Sequence, residues 1–230
     1  MFGLDESIAA LGTGDLFLVV AGVAVLLGLR HATDPDHLTA VSTLIAGGER
    51  HSPRDAGRLG FVWGLGHATT LFVFGLPIVL FNSYLPEPVQ RGAEAAIGVL
   101  IMALALRLLM RWRRGELHAH EHEHAAARRA RTPLQAYGIG LVHGMGGSAG
   151  VGVLLLAAIP DHAVAVAALL LFALFTAVSM ALASTTFGWT LSRGPVLARF
   201  VSVAPALGAL SLAFGAWYSL GALNAVPYYF

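Results

Sequence analysis

Long uncharged stretches alternate with short charged ones along this chain. In order, the apolar stretches run roughly 16–46, 59–81, 90–111, 134–158, 163–190 and 196–222. A hydrocarbon core needs about 20 helical residues to cross, so each is long enough to span a bilayer. The first is longer than one straight crossing requires, and it is interrupted. Leu16 to Leu29 carries no charge, and neither does Leu38 to Gly48. Between them stands Arg30-His31-Ala32-Thr33-Asp34-Pro35-Asp36-His37.

That interruption predicts a break. Pro35 has no N–H, and its ring clashes with the carbonyl four residues back, on His31. Asp34 reads as an N-cap followed by proline at the first helical position. The expectation is one helix ending near Arg30, an unwound turn, and a second helix starting at Pro35. Broken helices at membrane depth are tolerated where they line a cavity or lie within protein. Ionisable groups at a helix centre cost at least about 2.5–3.5 kcal/mol each, so they usually serve function. The bland alternative is a proline kink with its polar residues paired among themselves. His31, Asp34, Asp36 and His37 within seven positions are more ligand-type groups than a kink needs.

Composition agrees with the pattern. The 230 residues are 57% hydrophobic and 12% charged, with mean hydropathy +0.72. This is the profile of an all-α polytopic membrane protein, with residues 1–230 as a single membrane domain. There are no cysteines, which excludes disulfides, thiolate metal sites and thiol redox chemistry. Asp5, Glu6 and Asp15 precede any basic residue, unlike a secretory signal peptide.

All 14 basic residues are arginine, and all but Arg30 and Arg91 fall in or beside the first, third and fifth loops. The positive-inside rule then puts those loops in the cytoplasm and both termini outside; the expected location is the cytoplasmic (inner) membrane of a prokaryote. The expected organisation is a three-helix half over 1–111, a His/Arg-rich cytoplasmic loop over 112–133, and a second three-helix half over 134–230.

A faint internal repeat supports two halves. Gly28-Leu29-Arg30-His31 in the first crossing matches Gly140-Leu141-Val142-His143 in the fourth. Thr69-Thr70-Leu71-Phe72 has a looser echo in Thr185-Thr186-Phe187. Three crossings is an odd number, so the halves would run in opposite directions. The expected plan is a 3+3 inverted repeat with the site between halves.

Two further histidines lie within crossings. His67 follows Gly64 and Gly66, small residues that let another backbone approach. His143 precedes Gly144-Met145-Gly146-Gly147-Ser148, a run that favours close packing or a local break. Either histidine alone reads as well as a core residue bonded to a carbonyl. Depth changes the balance. His37, His67 and His143 lie nine, eight and nine residues from the cytoplasmic ends of their crossings. At 1.5 Å per residue that is ~12–14 Å for all three. One polyhistidine site at that level, with Asp36 beside it and His31 across the turn, is the expected metal centre: His31, Asp36, His37, His67 and His143. Imidazole with a little carboxylate suits Ni²⁺, Co²⁺, Cu²⁺, Zn²⁺ or Fe²⁺ rather than Mg²⁺ or Ca²⁺.

A second His-rich stretch, His118-Ala119-His120-Glu121-His122-Glu123-His124, sits in the third loop. Its spacing is too loose for a preformed site. The expected role of His118, His120, His122 and His124 is buffering or sensing of metal, with a solvated polar linker as the bland reading. His51 and His162 read as surface residues.

The first motif, Arg30 through Leu38, resembles the H-x4-D-H signature R-H-A-x-D-A-D-H-I of the nickel/cobalt transporter (NiCoT) family, with Pro35 in place of the usual alanine. Gly66-His67-Ala68-Thr69-Thr70 is similar to that family's G-H-S-T-V motif. The resemblance implies transport of Ni²⁺ or Co²⁺ through those histidines and aspartates. Typical members have eight crossings and a downstream L-G-x-D-T-A-T-E motif. Here the comparable stretch reads Leu141-Val142-His143-Gly144-Met145-Gly146-Gly147-Ser148-Ala149, which is more similar to the shorter urease-accessory, UreH-type relatives.

The leading expectation is a permease for divalent transition metals, most of all Ni²⁺ and then Co²⁺, with the ion as cargo and no resident cofactor. The alternatives are a membrane di-iron oxidase and a small-anion or amino-acid exporter of the same 3+3 plan. Di-iron sites need about eight histidines in boxes, and neither H-x-x-H-H nor H-E-x-x-H occurs. Histidines and Asp36 at one level suit an anion poorly. Expected partners are a divalent metal ion and the lipid bilayer, with no nucleic acid; a homo-oligomer fits the sequence equally well.

Overall fold

The computed structural model describes residues 13–46, 52–81, 86–117, 132–144 and 149–227. Among them the ordered elements are all helices: α1 (Thr13–His31), α2 (Pro35–Ala46), α3 (Pro53–Phe81), α4 (Glu87–Arg113), α5 (Pro133–His143), α6 (Ala149–Ala157), α7 (His162–Leu191) and α8 (Gly194–Ala222).

Local chemistry sets the ends. α1 stops at His31, and α2 leaves it at 49°. The turn between them closes on itself: the N–H and the hydroxyl of Thr33 both donate to the Arg30 carbonyl, at 2.8 and 2.6 Å. The His31 carbonyl, which the proline was expected to free, accepts the Asp34 N–H at 3.1 Å instead. The last carbonyls of α1 thus keep partners inside an apolar bundle. α5 opens with a capping box in which Thr132 and Gln135 cap each other's backbone, with Pro133 at the first position. It ends at His143, where the Gly144 N–H donates to the Gly140 carbonyl.

Four helices, α3, α4, α7 and α8, are long and apolar enough to cross a membrane, and the bent pair α1–α2, taken as one span, makes a fifth. This is a membrane protein. Large apolar side chains such as Leu18, Leu26 and Leu210 stand exposed along its flanks, as a lipid-facing surface requires. The sequence led to six crossings. The stretch expected as the fourth, 134–158, is the two short helices α5 and α6, with 145–148 between them outside the described residues.

Lipid is as apolar as leucine, so close contact between small residues holds such helices together. α3 and α7 lie side by side, with Gly57, Gly60 and Gly64 facing Thr185, Ser184 and Ala177. A Cβ on Gly64 would stand 2.7 Å from the Ala177 Cα. α1 packs on α7: a Cβ on Gly28 would stand 2.7 Å from the Phe172 carbonyl oxygen. α5 packs on α3, while α4 and α8 pack chiefly on each other. The early helix therefore leans on a late one, and the late helix α5 on an early one.

Candidate functional site

The break between α1 and α2 faces the place where α3 and α5 cross. That crossing is a meeting of backbones. A Cβ on Gly140 would run into the Trp63 carbonyl and stand 2.8 Å from the His67 nitrogen, and one on Gly66 would run into the Tyr137 carbonyl. With no side chains between the two helices, His67 on α3 and His143 at the end of α5 are brought toward each other. α2 begins at Pro35, so Asp36 and His37 sit in its first turn and project into the same space. His31, the last residue of α1, faces them across the turn.

All five residues expected at the centre converge, and each is at most 4% exposed. His37 is the hub. Its ring centroid lies 4.3 Å from that of His31, 4.4 Å from His143 and 4.9 Å from His67. The His31 and His67 Nε2 atoms are 3.0 Å apart. One Asp36 oxygen lies 3.2 Å from His37 Nδ1, and the other lies 3.3 Å from His143 Nε2. Trp63 and Phe172 wall the cluster, edge-on to His143 and His31 respectively.

Hydrogen bonds leave much of this donor set unused. Among the described residues, His37 Nε2, His67 Nδ1, His143 Nδ1 and Trp63 Nε1 are buried without a partner. Two groups of three have ligand atoms within 4.8 Å of one another: His31, His37 and His67, and Asp36, His37 and His143. Two imidazole nitrogens on one ion lie at most about 4.2 Å apart, given bonds near 2.1 Å. Modest contraction would therefore bring either trio onto a cation.

Sequence reasoning missed one contributor. Asp34, counted among the ligand-type groups but left out of the expected centre, places Oδ2 3.4 Å from His31 Nδ1 and Oδ1 3.4 Å from the Arg30 guanidinium. The i,i+3 spacing of His31 and Asp34 was the available signal. Trp63 likewise stands four positions before His67, on the same face of α3. His118, His120, His122 and His124, like His51, lie outside the described residues. His162 opens α7 on the exposed surface.

No protein-family model matches the chain, and no solved structure matches it. Among curated proteins, urease accessory protein UreH of Bacillus sp. (strain TB-90) is 29% identical over 85 residues. That is 37% of this chain and 36% of the UreH chain, so the match spans little more than a third of either protein. Together with the motifs at Arg30–Leu38 and Gly66–Thr70, it makes this chain a protein that resembles the UreH-type relatives of the nickel/cobalt transporters.

Proposed function

We propose that this protein is a secondary transporter that carries a divalent transition-metal ion, Ni²⁺ foremost and Co²⁺ next, across the cytoplasmic membrane. The observation that carries this reading is the set of buried ring nitrogens without partners, gathered around His37 inside an apolar helical bundle. An unsatisfied buried polar atom costs about 1–3 kcal/mol. A cation bound there gives several of them a partner at once. His31, His37, His67 and His143 replace part of its hydration shell, and Asp36 offsets part of its charge. Asp34 orients His31, as carboxylates behind metal-binding imidazoles do. The imidazoles bind only when neutral, so protons compete with the ion, and a proton gradient can drive it. Similarity to a protein named for accessory service to urease supports transport or delivery rather than catalysis by this chain.

The same reading takes α1–α2 and α5–α6 as matching broken crossings of a 3+3 inverted repeat, six crossings in all. Gly28 meets the backbone of α7 at Phe172 and Thr176; Gly140 meets that of α3 at Trp63 and His67. The histidine three residues after each glycine ends its helix and stands edge-on to an aromatic ring of the helix it packs on. Both termini then lie outside. The loop carrying His118, His120, His122 and His124 lies in the cytoplasm and holds metal more weakly.

The test is Ni²⁺ binding to purified protein followed by Ni²⁺ flux into proteoliposomes. Stoichiometric binding with saturable flux is expected. A folded protein that binds neither Ni²⁺ nor Co²⁺, or binds without flux, would overturn the proposal.

A further inference from the structure

We infer that the cluster is two adjacent three-ligand sites sharing the ring of His37, and that the ion steps from one to the other; this rests on the transporter reading. The first site is His31, His37 and His67, the second Asp36, His37 and His143. They differ in two ways. The first offers three neutral imidazoles; the second adds a carboxylate. The first is built from α1, α2 and α3 alone; the second needs α5, from the other half of the chain.

On this proposal each site takes one nitrogen of the His37 ring. Nδ1 lies 3.2 Å from Asp36, whose other oxygen lies 3.3 Å from His143. Nε2, on the far edge of the ring, is buried and unpartnered. With the ion on Nε2, the ring's one proton sits on Nδ1 and is donated to Asp36. With the ion on Nδ1, the proton sits on Nε2, so it changes nitrogen as the ion crosses. On this proposal one site is filled at a time, since two dications this close repel strongly and Asp36 is the one charged ligand among the two trios. Movement of α5 against α2 changes the Asp36–His143 distance of the second site directly, which couples the step to the relative position of the halves.

The experiment uses full-length protein in detergent with Ni²⁺ alone as probe. Calorimetry reads the stoichiometry, and Ni K-edge X-ray absorption reads the imidazole count. The His143→Ala variant should still bind one Ni²⁺, through three imidazoles. The His67→Ala variant should still bind one, through two imidazoles and a carboxylate. His37→Ala should lose stoichiometric binding, and all three variants should lose flux into vesicles. Helical content by circular dichroism checks folding, and His67→Gln and His143→Gln repeat the comparison where an alanine variant unfolds. If His67 and His143 variants lose binding as completely as His37→Ala, the cluster is one composite site; the inference falls while the transporter reading stands. If the wild-type protein binds no Ni²⁺, both fall.

Discussion

Nε2 of His143 stands 3.3 Å from Oδ2 of Asp36, across 107 positions of sequence. This contact ties the end of α5 to the first turn of α2, and Asp36 holds His37 with its other oxygen. Asp36→Asn keeps the shape and removes the charge. The expected result is a folded protein whose Ni²⁺ affinity falls at least about tenfold, near 1.4 kcal/mol. Titration calorimetry on the purified variant measures it, and unchanged affinity would remove Asp36 from the site.

Gly140→Ala should disturb the site without touching a ligand. The new Cβ meets the backbone of Trp63 and His67, which has no rotamer to yield. Overpacking of this kind costs about 1–3 kcal/mol. α5 should shift, and both thermal stability in detergent and Ni²⁺ affinity should drop. Gly138→Ala, two residues earlier in the same helix, meets nothing within 4 Å and is the control. Equal melting points for the two variants would contradict the crossing geometry.

Asp34→Asn tests the support behind His31. Removing a carboxylate that orients a metal-binding imidazole typically costs about 10–100-fold in affinity. Arg30 is bonded to the same carboxylate, but its side chain is 72% exposed. Exposed ion pairs contribute ~0–1 kcal/mol, so Arg30→Ala should have the smaller effect. A larger loss from Arg30→Ala would reverse the assigned roles.

Protons and metal compete for the same nitrogens. A protonated imidazole has no lone pair to give, so Ni²⁺ affinity should fall as pH is lowered, and binding should release protons. Calorimetry in buffers of different ionisation enthalpy reads that release directly. Binding enthalpies independent of the buffer would mean that no proton leaves.

Deleting His118–His124 should leave flux through the membrane largely intact, because none of the five clustered residues lies in that stretch. The expected change is in rate or in metal retained on the cytoplasmic side. Complete loss of flux in a well-expressed deletion would make the loop part of the path.

The four long helices were legible as hydropathy, though their ends were not. α3 starts at Pro53, six residues before the apolar stretch, and so takes in Arg54, Asp55 and Arg58. The break at Pro35 was legible from one residue's covalent geometry. His37, His67 and His143 converge as their equal spacing from the ends of their apolar stretches led us to expect. The partner of each oxygen of Asp36 was not legible. Nor was the meeting of Gly66 with the α5 backbone, because helix rotation and crossing angle are decided by tertiary packing. Asp34 was read as the cap of α2, and its carbonyl does accept the Leu38 N–H there, but its reach to His31 was not read. Its local capping chemistry and its reach to His31 use the same short side chain, and only coordinates separate them.

The interleaving of early and late helices governs how the protein is made. Leu29, at the end of α1, gives its carbonyl to the hydroxyl of Ser179, 150 positions later. At roughly 5–20 residues per second of synthesis, that partner emerges on the order of ten seconds after α1. His143 reaches Asp36 only slightly sooner. During the delay a carboxylate and two imidazoles have no later helix to bind them, and hydrocarbon offers nothing in exchange. The segment α1–α2 must therefore be sheltered, by the insertion machinery or at the headgroup surface, until α5 and α7 arrive. The polar centre gains its last residue, His143, long after three of its five, His31, Asp36 and His37, have been made.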